Sequence, residues 1–193
     1  MHRRWGSRRL LVLGATAVTL AALGYGFAQR SDTAGGGVAR AQAGAESNAP
    51  ALVDIPNACL TGGALAGGQP TPEQLEQARE RGFRTVISMQ PMNEPGVREL
   101  DRAADELGLT YIALPVRGAS DLTRENAEAF AEALEDAEPD VMVHCASGNR
   151  VGAMYALKAY YVDGEDADAA LDTGLESGMT QLEGDVRQIL GLD

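Results

Sequence analysis

The ten residues Val141-Met142-Val143-His144-Cys145-Ala146-Ser147-Gly148-Asn149-Arg150 carry a cysteine out of an apolar run into a short glycine-containing loop that an arginine closes. A loop of this kind running straight into a helix points successive backbone N–H groups at one spot, and the positive end of the helix adds to their field. A thiol at that spot is expected to titrate below the free value of about 8.5, because the donors stabilise its thiolate. Cys145 is therefore the expected nucleophile. Arg150 sits at a helix start, where the dipole disfavours a cation, so holding a ligand is its expected role, with a planar fork that suits the oxygens of an oxyanion. The backbone of Ala146, Ser147, Gly148 and Asn149 is expected to supply the remaining donors, with the side chains of Ser147 and Asn149 shaping the loop.

The other candidates carry weaker expectations. His144 precedes the cysteine on the strand, so its ring faces the opposite side and is expected to pack or donate a hydrogen bond behind the loop. Cys59 reads as an ordinary strand residue or as a redox partner for Cys145, a bond that needs Cα atoms within about 7 Å. Two cysteines are too few for a disulfide framework, and the only histidines are His144 and His2, so neither a metal centre nor another cofactor is expected.

The elements that must position this loop alternate between strand and helix. A first strand is expected over Ala58–Thr61, with Gly62, Gly63, Gly67 and Gly68 breaking up the stretch before Gln69-Pro70. Thr71-Pro72-Glu73-Gln74 combines an N-cap threonine, a first-turn proline and a glutamine placed to close a capping box, and Gly82 ends that helix. Arg84–Met89 reads as strand, Val97–Leu107 as helix and Thr110–Leu114 as strand. Thr123 caps a helix that shows Phe130, Ala133 and Leu134 on its apolar side and runs to about Ala137. Asp140–His144 is the buried strand. Arg150–Val162 is a helix so poor in charge that it must be covered on most sides, and helices near Ala167–Glu176 and Thr180–Leu190 finish the chain. The expected fold is a single α/β domain: a central, mainly parallel sheet flanked by helices, with the Cys-Arg loop at the carboxyl end of a central strand.

Four segments together resemble a known family: Gly67-Gly68-Gln69-Pro70-Thr71-Pro72-Glu73-Gln74-Leu75, Gly82-Phe83-Arg84-Thr85-Val86-Ile87, Leu114-Pro115-Val116, and Val143 to Arg150. They are similar to the phosphatase-like domain of bacterial beta-lactamase-hydrolase-like proteins, a branch of the dual-specificity protein phosphatases. The resemblance spans about residues 55 to 190. It implies a loop cysteine that attacks phosphorus, loop amides and an arginine that hold the phosphoryl oxygens, and an upstream aspartate that protonates the leaving oxygen. On this chain those are Cys145, Arg150 and Asp121, with Glu125 as the alternative acid. Asp121 also precedes a helix N-terminus, where an acid is favourable without any chemistry.

The loop departs from the family pattern twice. Phosphatases of this superfamily separate cysteine and arginine by five residues, whereas Ala146, Ser147, Gly148 and Asn149 make four, the spacing of rhodanese sulfurtransferases. Val151 occupies the position where phosphatases carry a hydroxyl that assists breakdown of the phosphocysteine. Two alternatives therefore stand beside a phosphatase: a sulfurtransferase with Cys145 as persulfide carrier, and a non-catalytic oxyanion- or phosphopeptide-binding module. The amino-terminal half, with its Gly-Gln-Pro-Thr-Pro-Glu-Gln start, favours the phosphatase branch.

The rest of the chain sets its surroundings. Residues 1 to 28 hold Arg3, Arg4, Arg8 and Arg9, then the apolar run Leu10–Leu23, then Gly26-Phe27-Ala28, which reads as a signal peptide or, because residues 10–28 approach bilayer-spanning length, as a membrane anchor. Either places the domain outside the cytoplasm, in the periplasm or beyond the cell. Residues 29 to 50 are too poor in large apolar side chains to order themselves and read as a linker, leaving 51 to 193 as the domain. Of the 16 basic residues five lie in the first 30, so 11 remain against all 28 acids, a formal charge of about −17. That charge repels polyanions and excludes nucleic acid; the expected partner is a phosphorylated or other oxyanionic small substrate, or a phosphopeptide.

Overall fold

The computed structural model describes residues 53–137 and 140–192; the expected signal or anchor segment and the linker, residues 1 to 50, lie outside the described residues. Five strands, β1 (Cys59–Thr61), β2 (Ala64–Gly67), β3 (Thr85–Ser88), β4 (Thr110–Ala113) and β5 (Val141–His144), form one sheet. Their order is β1-β2-β5-β3-β4, and every neighbouring pair is parallel except β1 with β2. β5 is thus the central strand, with Val143 between Ala66 and Ile87, and all four of its residues are buried.

Strand alternation divides the core between two faces. Leu65, Val86 and Met142 pack with Leu75 of α1 (Pro72–Glu80) and Leu100 of α2 (Val97–Leu107). Ala66, Ile87, Val143 and Cys145 pack on the other side with α3 (Arg124–Ala137), α4 (Asn149–Lys158), α5 (Ala167–Glu176) and α6 (Glu183–Leu190). α1 begins as its sequence dictates: Gln74 N donates to Thr71 Oγ1 at 3.3 Å and Thr71 N donates to Gln74 Oε1 at 2.8 Å. Among the described residues no helix is long and apolar enough to cross a membrane.

Three boundaries differ from expectation. The glycines after Thr61 do not merely interrupt a strand. Gly62 and Gly63 have φ of +52° and +81°, which makes them a two-residue hairpin turn of the kind that only residues tolerant of positive φ can form, and β2 begins directly after it. It is β2, wholly buried, that pairs with β5. The helix expected over Arg150–Val162 is regular only to Lys158; Ala159–Asp163 widens into a π turn. A wider turn brings residues five apart onto one side, and there Lys158 Nζ donates to both Asp163 carboxylate oxygens at 2.7 and 2.9 Å. The last helix starts at Glu183, not Thr180, because Asn149 Oδ1 accepts hydrogen bonds from Thr180 N, Thr180 Oγ1 and Leu182 N and holds that segment as a loop.

Residues Val151 to Leu157 of α4 are all buried, so this helix can be covered on several sides only if neighbours come close. Gly152 allows it: a Cβ there would lie 2.6 Å from Gly174 O and 2.8 Å from Met179 Cα, both backbone atoms. Gly152→Ala is therefore expected to cost about 1–3 kcal/mol by overpacking, despite its better helix propensity. Urea unfolding reads this directly, and an unchanged midpoint would show that α5 can retreat without loss.

Candidate active site

Each of the three loops after β3, β4 and β5 contributes to one point at the carboxyl edge of the sheet. Cys145 leaves β5 with its N–H donated to Gly67 O at 3.2 Å, and it is 1% exposed. Gly148, at φ +91°, turns the chain so that its N–H donates to Cys145 Sγ at 3.1 Å, and α4 begins at the next residue. Ala146 O accepts from Gln69 N at 3.3 Å, and Ser147 O accepts from Asn57 Nδ2 at 3.0 Å. The Ala146 and Ser147 side chains are exposed. Asn149's side chain ties down the 180–182 loop, so it acts as a structural anchor for that segment and not within the Cys-Arg loop.

Arg150 is held more firmly than its sequence context suggests. Nη1 donates to Glu94 Oε1 at 2.7 Å and to Val116 O at 2.9 Å, and Nη2 donates to Glu94 Oε2 at 2.8 Å. These bonds spend one edge of the fork. The other edge, made by Nε–H and the second Nη2 hydrogen, is turned away from Glu94. Glu94's hydrogen bonds push the Arg150 pKa up, with burial opposing and the nearby Cys145 adding to the rise, which places guanidinium and thiol in one electrostatic unit. Reciprocally, the Arg150 bond, helped by Gln90, holds the Glu94 carboxyl below the usual range.

Glu94 is the residue that sequence reasoning misses. It lies in the loop after β3, within Pro91-Met92-Asn93-Glu94-Pro95, and no spacing ties it to Cys145 or Arg150. The available signal is indirect, in two glutamines. Gln90, 1% exposed, donates to Glu94 Oε2 at 3.0 Å and to Gln69 Oε1 at 2.9 Å, while Gln69 Nε2 donates to Pro95 O at 3.1 Å. Gln69 thus links the Gly-Gln-Pro start of α1 to the loop that orients the arginine.

Asp121 sits apart from this knot, in a single 3-10 turn at Ala119–Asp121. Its Oδ2 accepts from Arg117 N at 2.8 Å and lies 3.4 Å from Arg117 Nη1, and its carbonyl accepts from Asn126 Nδ2 at 2.6 Å. No hydrogen bond joins it to Cys145 or Arg150; the connection is through the chain, since Val116 at the start of the same loop receives Arg150. Glu125 is exposed on the first turn of α3.

His144 is fully buried on the face opposite Cys145, its ring centroid 6.5 Å from that of Tyr111, and neither ring nitrogen has a hydrogen-bond partner. Of the two roles expected of it, packing or a hydrogen bond behind the loop, the ring takes the first. Burial pushes its pKa down to about 4, the Cys145 backbone opposing and Arg150 assisting. Of the two readings of Cys59, the strand residue holds and the bond to Cys145 does not. Both thiols are free, and Cys59 pairs with Ala66, which in turn pairs with Val143, so two strand spacings of about 5 Å each separate Cys59 from β5. That exceeds the reach of about 7 Å, and burial pushes the Cys59 thiol up.

A central-strand cysteine loop closed by an arginine, at the carboxyl end of a mainly parallel five-stranded sheet, defines a phosphatase-like α/β domain. The family described as "Beta-lactamase hydrolase-like protein, phosphatase-like domain" matches residues 59–162, and the chain belongs to it. A Beta-lactamase hydrolase-like protein of Xylella fastidiosa is 37% identical over 94 residues, 47% of this chain but 22% of that protein; one of Agrobacterium fabrum is 31% identical over the same shares. The chain thus spans about a fifth of the length of these curated relatives. Among solved structures, a putative phosphatase from Neisseria meningitidis aligns with a TM-score of 0.56 at 20% identity, covering 68% of this chain and 96% of that one. P. aeruginosa TpbA, a cysteine replaced by serine and in complex with pTyr, aligns with a TM-score of 0.53 at 21% identity, covering 74% and 89%. These neighbours share the phosphatase fold.

The charges of the site lead to two expected outcomes. Glu94→Gln keeps the shape but leaves a mostly buried guanidinium without its counter-charge, and is expected to cost about 1–2 kcal/mol at neutral pH in denaturant unfolding, the partial exposure of Glu94 limiting the effect. Wild-type stability in this variant would mean that Val116 O suffices. His144, held neutral in the fold, binds fewer protons there than in the unfolded chain. Stability should therefore fall as pH drops from about 6.5 towards 4, by about 3 kcal/mol. His144→Asn removes that component, so the two unfolding free energies converge on acidification; parallel curves would place the imidazole's titration elsewhere.

Proposed function

We propose that this chain is a cysteine-dependent phosphomonoester hydrolase acting through a cysteinyl-phosphate intermediate. The observation that carries the reading is the Gly148 N–H directed at Cys145 Sγ beside a guanidinium whose inner edge is fixed by Glu94, because that pairing leaves an oriented donor edge for a phosphoryl group. In this mechanism Sγ attacks phosphorus as the thiolate while the loop amides of Ala146 to Asn149 and the outer edge of Arg150 take the non-bridging oxygens. The phosphorus–oxygen bond to the leaving group breaks, and that oxygen takes the proton of Asp121. Water, giving its proton back to Asp121, then attacks phosphorus and releases inorganic phosphate and the thiolate. Val151 is buried and has no hydroxyl to assist this second half, so turnover is slow and the intermediate long-lived.

The substrate is a phosphorylated small molecule or phosphopeptide, a reading supported by the pTyr complex of the related fold. Read as a signal or anchor segment, residues 1 to 28 would put the reaction outside the cytoplasm. A second reading, sulfur transfer by a Cys145 persulfide, is favoured by one observation: four residues, not five, separate Cys145 from Arg150.

The full chain with an aryl phosphate is expected to release phosphate, and Cys145→Ser to abolish release, since a serine alkoxide is unavailable at neutral pH without a base. Greater sulfur transfer from thiosulfate to cyanide than phosphate release would replace the first reading with the second. Asp121→Asn is expected to slow an alkyl phosphate about 100-fold, yet barely touch an ester whose leaving group needs no proton. Equal slowing of both would move the acid role to Glu125 or elsewhere.

A further inference from the structure

The segment before β1 crosses the loop from outside, and one of its residues has no evident reason to be there as a surface side chain. Asn57 is exposed, yet it has φ +53°, the only non-glycine residue with positive φ among those described. Asparagine tolerates that conformation better than most residues, but the conformation is still sparsely populated and is held only where surroundings enforce it. The enforcement is visible on either side. Pro56 O accepts from Gly68 N at 2.6 Å, and the segment lies so close to the end of β2 that a Cβ on Gly67 would be 2.8 Å from Ile55 Cδ1 and one on Gly68 2.9 Å from Pro56 Cβ. The strap fixes the Asn57 backbone, and the positive φ brings its amide to Ser147 O at 3.0 Å.

We propose that Asn57 is a positioning residue that orients the Ser147–Gly148 peptide so that its N–H faces Cys145 Sγ and the oxyanion beside it. In a planar trans peptide the carbonyl and the following N–H point in opposite directions. Anchoring Ser147 O to Asn57 therefore turns the Gly148 N–H the other way, and that N–H lies 3.1 Å from Sγ. Gln69 N acts in the same sense on the preceding unit by holding Ala146 O, which turns the Ser147 N–H away from Gln69. Gly148 has no Cβ to resist rotation of this peptide, so its orientation is set from outside, by the antiparallel bridge between Gly68 and Ser147 together with the Asn57 amide. The role rests on the anion-cradle part of the proposed function, not on hydrolysis.

The test uses the full chain and two variants, with two readouts that need no turnover: alkylation of Cys145 by iodoacetate, itself an anion, across pH, and protection from it by inorganic phosphate. Asn57→Gly keeps the positive φ and removes the donor; Asn57→Asp keeps the size and the tolerance for positive φ but presents an acceptor to the Ser147 carbonyl. Both are expected to weaken phosphate protection about tenfold, less than the loss of a whole oxyanion donor, and to move the alkylation profile to higher pH, with the unfolding midpoint of Asn57→Gly unchanged. Cys59, whose thiol is held up by burial, is followed separately by peptide mapping. Wild-type protection and profile in Asn57→Gly would overturn the proposal, as would the absence of phosphate protection in the unaltered chain. Loss of folding in both variants would also overturn it, making Asn57 a turn residue only. Failure to hydrolyse phosphate esters, with these shifts present, would instead count against the hydrolase reading alone.

Discussion

The bidentate pair between Arg150 and Glu94, completed by Val116 O, joins the loops after β3, β4 and β5, three strands that lie side by side in the sheet. Other ties, such as Gln69 Nε2 to Pro95 O and Asn57 Nδ2 to Ser147 O, each hold one of these loops, whereas this pair draws all three to one point. Removing two charges from water is costly, and a pair with side chains 13% and 28% exposed recovers that cost only through good geometry and further hydrogen bonds. Both are present: two parallel N–H to oxygen bonds below 3 Å, a backbone carbonyl on the remaining Nη1 hydrogen, and Gln90 on the carboxylate. The pair serves less as a store of stability than as a means of fixing which edge of the guanidinium faces the thiol.

The cradle's field has a corresponding character. Because Glu94 cancels most of the Arg150 charge at longer range, attraction for an anion comes from short-range sources: the Gly148 N–H, the start of α4 and the outer guanidinium edge. With a chain this acidic, an accumulation of lysines would be the ordinary way to draw in a phosphate, and the loop has none. Surface repulsion is screened within about 8 Å at physiological ionic strength, so the chain's net acidity does not by itself keep a small oxyanion from the loop.

Much of this is legible in the sequence where local chemistry dictates local structure. The Thr71–Gln74 capping box, the helix from Val97 and the apolar run ending at Cys145 each carry their signal within a few residues. The illegible part depends on partners far along the chain. Glu94 lies 56 residues from Arg150, and Asn57 lies 90 from Ser147; neither spacing has a physical meaning until the strand order β2-β5-β3 is known. The hairpin escapes a sequence reading for a different reason. Gly62-Gly63 is a turn signal with a mechanism, but four glycines within seven residues mask it, because Gly67 and Gly68 look like breakers when they in fact make room for the Ile55–Pro56 strap. Likewise the late start of α6 is set by Asn149, on another helix.

The burial of His144 beside Cys145 shows how the two faces of one strand divide the work. The ring lies on the α1/α2 side of the sheet and has no hydrogen-bond partner, and burial pushes its pKa down to about 4, so the imidazole one residue from the thiol is neutral at neutral pH. Any anion in the loop would then find donors from the other face alone. That restriction makes the orientation of single peptide units consequential. In a four-residue loop each unit is a large part of the available donor set, and two of its carbonyls are fixed from outside, by Gln69 N and Asn57 Nδ2. A short loop can be a defined cradle only when neighbouring segments choose its peptide orientations, and here the segments before and after the β1–β2 hairpin do so.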